Sequence, residues 1–94
     1  MAATYILRCA DGTYYVGSTR DLTPRMEAHH SGLGSVYTGK RLPVELVWVH
    51  EFDRLTEAYA LERQLHGWSR AKKEALIAGR IDLLAGYSRR RRGR

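Results

Sequence analysis

The sequence predicts a small α/β domain in which a three-stranded antiparallel sheet is flanked by helices, in the order ββαβαα. Three observations carry this. Two short runs rich in Tyr, Val and Ile, residues 4–9 and 13–18, flank the turn Ala10-Asp11-Gly12, as in a β-hairpin. VELVWVHEF, residues 44–52, reads as a third strand with apolar residues on both faces, Val44, Leu46, Trp48 and Phe52 on one and Val47 and Val49 on the other. Helical periodicity then fills the remaining segments.

The hairpin turn allows two registers. Asp11-Gly12 can form a two-residue type I′ turn, which pairs Ala10 with Thr13 and puts Tyr5 and Tyr15 on opposite faces. Alternatively, Ala10-Asp11-Gly12 forms a three-residue loop with Gly12 in the left-handed region. Cys9 then pairs with Thr13, and Tyr5, Leu7 and Tyr15 share a face. After the hairpin, Asp21 or Thr23 can cap a helix that runs to about His30 and tolerates Pro24 in its first turn. Ser31-Gly32-Leu33-Gly34-Ser35 ends it, and a loop is expected to follow as far as Pro43. Thr56 is the expected cap of a second helix, with Ala58, Leu61 or Leu65, and Trp68 at helical spacing. Ser69 restarts a shorter helix over AKKEALIAG, and a segment around Ile81, Leu83 and Leu84 is expected to pack before the end.

Length and charge narrow the function classes. The 94 residues fit one domain, placed at 1–87, with a basic tail at 88–94 that is expected to be disordered because it has nothing apolar to bury. Five of the 16 basic residues lie in that tail, SRRRRGR, leaving 11 against 10 acidic ones in the body. The net charge of +6 therefore raises affinity for polyanions without specifying one. No run approaches the roughly 18 apolar residues of a membrane span, and the N-terminus lacks the pattern of a secretion signal. A single cysteine, Cys9, allows no internal disulfide, so the expectation is a reduced, cytoplasmic protein without a membrane partner.

TYI at 4–6, followed by YVG at 15–17, resembles the signature of the GIY-YIG nucleases. Arg25 at a helix start and Glu62 in EAYALERQL match further positions of that pattern. GSVYTGKRLPVELVWVHEF and ALERQLHGWSRAKKEALI resemble the small stand-alone UPF0213 group. The resemblance spans roughly residues 3 to 78. Thr4 stands at the signature's first glycine, and Ser18 where several relatives carry a lysine.

The resemblance implies a metal-dependent endonuclease that hydrolyses phosphodiester bonds in DNA rather than RNA, guided by substrate structure and not by sequence. Mg²⁺ or Mn²⁺ is the implied cofactor, and Glu62 the implied metal carboxylate, which suits an ion that keeps most of its waters. Tyr5 and Tyr15 are both candidates for the base. A phenol of ordinary pKa, about 10, needs a nearby cation to serve near neutral pH. Arg25 would hold the phosphate through its planar fork. His29, four residues on and on the same helix face, would give or take a proton. Lys40, Arg41, Arg70, Lys72 and Lys73 are candidate contacts to the nucleic-acid backbone. His30, His50 and His66 show no ligand spacing with one another and are expected to be structural or surface residues. The alternative is a nucleic-acid-binding module of the same fold with little or no cleavage.

Overall fold

The computed structural model describes residues 1–81. Its elements are β1 (Ala2–Cys9), β2 (Tyr14–Thr19), α1 (Leu22–His30), α2 (Val36–Gly39), β3 (Val44–Phe52), α3 (Leu55–His66) and α4 (Arg70–Ile77). The three strands form one antiparallel sheet in the order β2-β1-β3.

The hairpin takes the three-residue loop. Leu7 pairs with Tyr15 and Tyr5 with Gly17. The Cys9 N–H donates to the Thr13 carbonyl at 2.8 Å, and Gly12 turns at φ 86°. Only glycine adopts that left-handed conformation without cost. Tyr5, Leu7 and Tyr15 therefore share one face of the sheet.

Each face has its own cover. Ala2, Ile6, Val16 and Phe52 pack with Ala58, Leu61 and Leu65 of α3 and Leu76 of α4. On the other face Tyr5, Leu7, Cys9 and Val44 form a second cluster, closed in part by Leu22 and Met26 of α1. Burial pushes the Cys9 thiol up in pKa, as expected of a packed strand cysteine.

Four local expectations need correction. Strand β3 does not alternate simply. A bulge at Val47, where Ile6 faces Trp48 and Leu7 faces Leu46, switches its parity. Val44 and Leu46 thus join the α1 side, while Val47, Trp48 and Phe52 join the α3 side. The span from Ser31 to Pro43 is not all loop, because Ser35 caps the one-turn helix α2 by accepting from the Thr38 N–H. Helix α3 starts from Arg54, not Thr56. Trp68 lies beyond the end of α3, yet packs on the α3-side core. Asp21 stands at the N-cap position of α1 but its side chain makes no capping hydrogen bond, whereas Ser69 caps α4 by accepting from the Lys72 N–H. Ile81 packs on the core; Leu83, Leu84 and the basic tail lie outside the described residues.

Candidate active site

Sheet register and helix α1, with Arg25 near its start and His29 in its last turn, assemble the site. Tyr5 lies on the central strand, fully buried, with its hydroxyl 2.9 Å from Nε2 of His29. His29 is also fully buried, and its Nδ1 lies 2.8 Å from the Thr38 hydroxyl, which in turn lies 2.9 Å from that of Ser35. A polar chain thus runs from the sheet through α1 to α2. Tyr15 packs its ring edge-on to His29, with centroids 5.3 Å apart, and stacks on Tyr37 at 5.9 Å. Unlike Tyr5, Tyr15 is only half-buried and keeps access to solvent.

Two glycines make this packing possible. A Cβ at Gly17 would sit 2.6 Å from the Tyr5 hydroxyl oxygen, and one at Gly34 would overlap the His29 ring. The glycine of the YVG signature is thus a space requirement imposed by the partner strand's tyrosine.

Glu62 approaches from the other side. Residues alternate along β2, so Ser18 faces α3 whereas Tyr15 faces α1. The Ser18 hydroxyl donates to Oε1 of Glu62, and the His66 Nε2–H donates to Oε2 at 3.2 Å. A groove of about 400 Å³ where β2 runs into α1 joins the two sides, lined by Ser18, Thr19, Arg20, Asp21, Pro24, Arg25, Leu55 and Tyr59. Ser18, the partner of Glu62, and Arg25 therefore border one opening.

Electrostatics tie the same residues together. Burial pushes the Tyr5 phenol up to about 12, with a further rise from Tyr15, while Arg25 pulls it down and Glu62 adds a smaller rise. His29 is pushed below its ordinary value, first by burial and then by the positive charges of Arg25 and His30. Tyr5 is therefore held protonated and His29 neutral near pH 7, joined by one hydrogen bond, with Thr38 satisfying the second ring nitrogen of His29.

The model of the GIY-YIG catalytic domain matches residues 1–75 of this sequence. The chain belongs to the GIY-YIG family. Its relatives include a UPF0213 protein of Halobacterium salinarum, 43% identical over 82% of this chain and 100% of that protein. Another, from Streptococcus pneumoniae, is 40% identical over 86% of this chain and 82% of its own length. The solution NMR structure of a UPF0213 protein from Bacillus halodurans is 36% identical and superposes with a TM-score of 0.56, over 95% of this chain and 96% of that one. The chain is thus a small GIY-YIG protein of the UPF0213 type. Members of the GIY-YIG family are nucleases, they act on nucleic acid, and they typically use divalent metal ions.

The carboxylate of Glu62 fits such an ion. It is a hard oxygen donor, its side chain is 27% exposed, and among the described residues no group of three or more His, Cys, Asp or Glu forms a closed cage. A single carboxylate with retained waters is a common way to hold Mg²⁺.

All five residues singled out for catalysis thus fall around one locus. Four others went unrecognised as parts of it. Tyr37, Thr38 and Ser35 sit in a segment read as loop, where no periodicity marked them. His66 had a usable signal, its position four residues after Glu62. The candidate nucleic-acid contacts are ordered to different degrees. Arg41 binds Asp11 and the Tyr37 carbonyl, both at 3.0 Å, and lies over the Tyr37 ring at 3.8 Å. Arg70 donates to the Gly12 carbonyl, pairs with Glu74 and lies over Tyr14. Lys72 sits over Trp68 at 4.4 Å; Lys40 is exposed and Lys73 half-buried. No helix among the described residues is long and apolar enough to cross a membrane.

Proposed function

We propose that this protein is a divalent-metal-dependent endonuclease that hydrolyses phosphodiester bonds in DNA, selecting substrates by structure and not by sequence. The observation that carries the reading is the joining of Arg25 and the Glu62–Ser18 pair by one groove beside the Tyr5–His29–Tyr15 cluster.

Each residue has a role suited to its surroundings. Arg25, half-buried at the groove wall, clamps the phosphate with two parallel N–H donors. Tyr15, the tyrosine open to solvent, takes the proton from the attacking water. Tyr5 has no solvent access and a raised pKa, so it stays protonated and positions its neighbours through His29. Glu62 would hold a divalent ion, Mg²⁺ or Mn²⁺, which when bound would supply positive charge to offset the charge that develops on the leaving oxygen. Water attack forms the new P–O bond as the water's proton passes to Tyr15, the P–O bond to the leaving sugar oxygen breaks, and that oxygen takes a proton from solvent water. Lys40, Arg41, Arg70, Lys72 and Lys73 hold the backbone, where contacts carry no base information.

The reading is tested with labelled branched, flapped, nicked and duplex DNA, and RNA, in Mg²⁺, Mn²⁺ or EDTA. Glu62→Ala and Arg25→Ala proteins run in parallel. Cleavage that requires metal and is lost in both variants is expected. Salt-sensitive binding without cleavage would overturn it in favour of a binding module.

A further inference from the structure

Glu62 and His66 lie four residues apart on α3, so their side chains stack on one face of the helix. Helical side chains lean toward the N-terminus, which carries the His66 ring back over the Glu62 carboxylate. The two carboxylate oxygens have separate partners. Oε1 is tied to the strand by Ser18, whereas Oε2 lies 3.2 Å from Nε2 of His66. The His66 side chain is 56% exposed and that of Glu62 27%, so ions in solution can reach this oxygen–nitrogen pair.

We infer that His66 is a second protein donor to the cation held by Glu62, and that the site consequently prefers Mn²⁺ to Mg²⁺. This rests on the reading of Glu62 as the metal carboxylate. Donors at neighbouring corners of an octahedron with bonds near 2.1 Å stand about 3 Å apart. The separation of 3.2 Å is already close to that, so no helix movement is needed. Without metal, Nε2–H donates to Oε2. To bind the cation the ring would carry its proton on Nδ1, and a small turn of the exposed side chain would aim the Nε2 lone pair at an ion beside Oε2.

The nitrogen donor sets the preference. Mg²⁺ is hard and strongly hydrated and gains little from imidazole, whereas Mn²⁺ stands higher in affinity for nitrogen-containing sites. His29 cannot take this role, since it is fully buried with both ring nitrogens bonded to Tyr5 and Thr38.

The test titrates the protein alone, without DNA. Free Mn²⁺ is followed by its paramagnetic resonance signal, and Mg²⁺ by competition. His66→Ala is expected to weaken Mn²⁺ binding about tenfold or more while changing Mg²⁺ binding far less. Glu62→Ala weakens both. In the unaltered chain, substoichiometric Mn²⁺ should broaden the His66 ring resonances ahead of those of His30 and His50. His66→Gln retains a hydrogen-bond donor toward Glu62 without an imidazole nitrogen, and should behave like the alanine variant. The inference is overturned if His66→Ala changes both affinities equally or neither, or if His66→Gln restores Mn²⁺ binding. This failure is distinct from failure of the nuclease reading. His66-dependent Mn²⁺ binding without cleavage would sink the nuclease reading and leave this inference standing. Metal-dependent cleavage with no effect of His66 on ion preference would do the reverse.

Discussion

On the α3 face of the sheet Ile6, Val16, Phe52, Leu61 and Leu65 meet as apolar side chains; on the α1 face Tyr5 and His29 are equally buried, yet bonded to each other. The first arrangement is held by exclusion of water. The second keeps two ionisable groups out of water, a choice that lowers stability unless each polar atom finds a partner. Every buried side-chain nitrogen and oxygen among the described residues has one. A leucine pair could fill such a space with less demand on geometry, so a satisfied polar chain points to chemistry and not to stability alone. The fold thus divides its labour between the faces, and the end of β2 is where they meet.

That division can be broken first on the apolar side. Leu65→Ala removes a fully buried side chain and should destabilise the fold by about 2–5 kcal/mol, read by denaturant unfolding. Its cleavage rate per folded molecule should not change. On the polar side the order reverses. Tyr5→Phe leaves Nε2 of His29 without its buried partner, costing about 1–3 kcal/mol, and should lower cleavage markedly in protein that is still folded.

A pH series sharpens the contrast. The folded pKa of His29 lies below its ordinary value of 6.5, so the unfolded chain binds the proton more readily. The stability linked to neutral His29 is fully present above about pH 6.5 and is lost as pH falls through the folded value. Thermal midpoints of the unaltered protein should therefore fall over this range more steeply than those of His29→Gln. The smallest effect belongs to the surface. Arg70→Ala removes exposed contacts to Glu74, the Gly12 carbonyl and the Tyr14 ring, and should change stability by about 1 kcal/mol, while weakening DNA binding at low salt.

The strands and the long helix were legible because each rests on a local signal, whereas the five candidate side chains were marked only by the resemblance to the GIY-YIG pattern. Turn chemistry offered two hairpin registers, and the three-residue loop is the one observed, because Cys9 pairs with Thr13 across Gly12 in the left-handed region. The bulge at Val47 was hidden, since a run with apolar residues at both parities fits either phase. Helix α2 was hidden too: at four residues it is shorter than a periodicity, and its stability comes from the Ser35 cap and the Thr38–His29 contact. Tyr37 became visible only through its stacking on Tyr15, a tertiary fact. The role of Ser18 likewise depends on which face of β2 it occupies.

The central claim is that Tyr15 works on water while its buried neighbour holds the geometry. Single-turnover cleavage by Tyr15→Phe, at saturating metal and protein, tests it most directly. The account predicts a loss of about 10²-fold or more, with metal binding, DNA binding and unfolding midpoint close to those of the unaltered protein. Cleavage at the original rate by the same variant would contradict it.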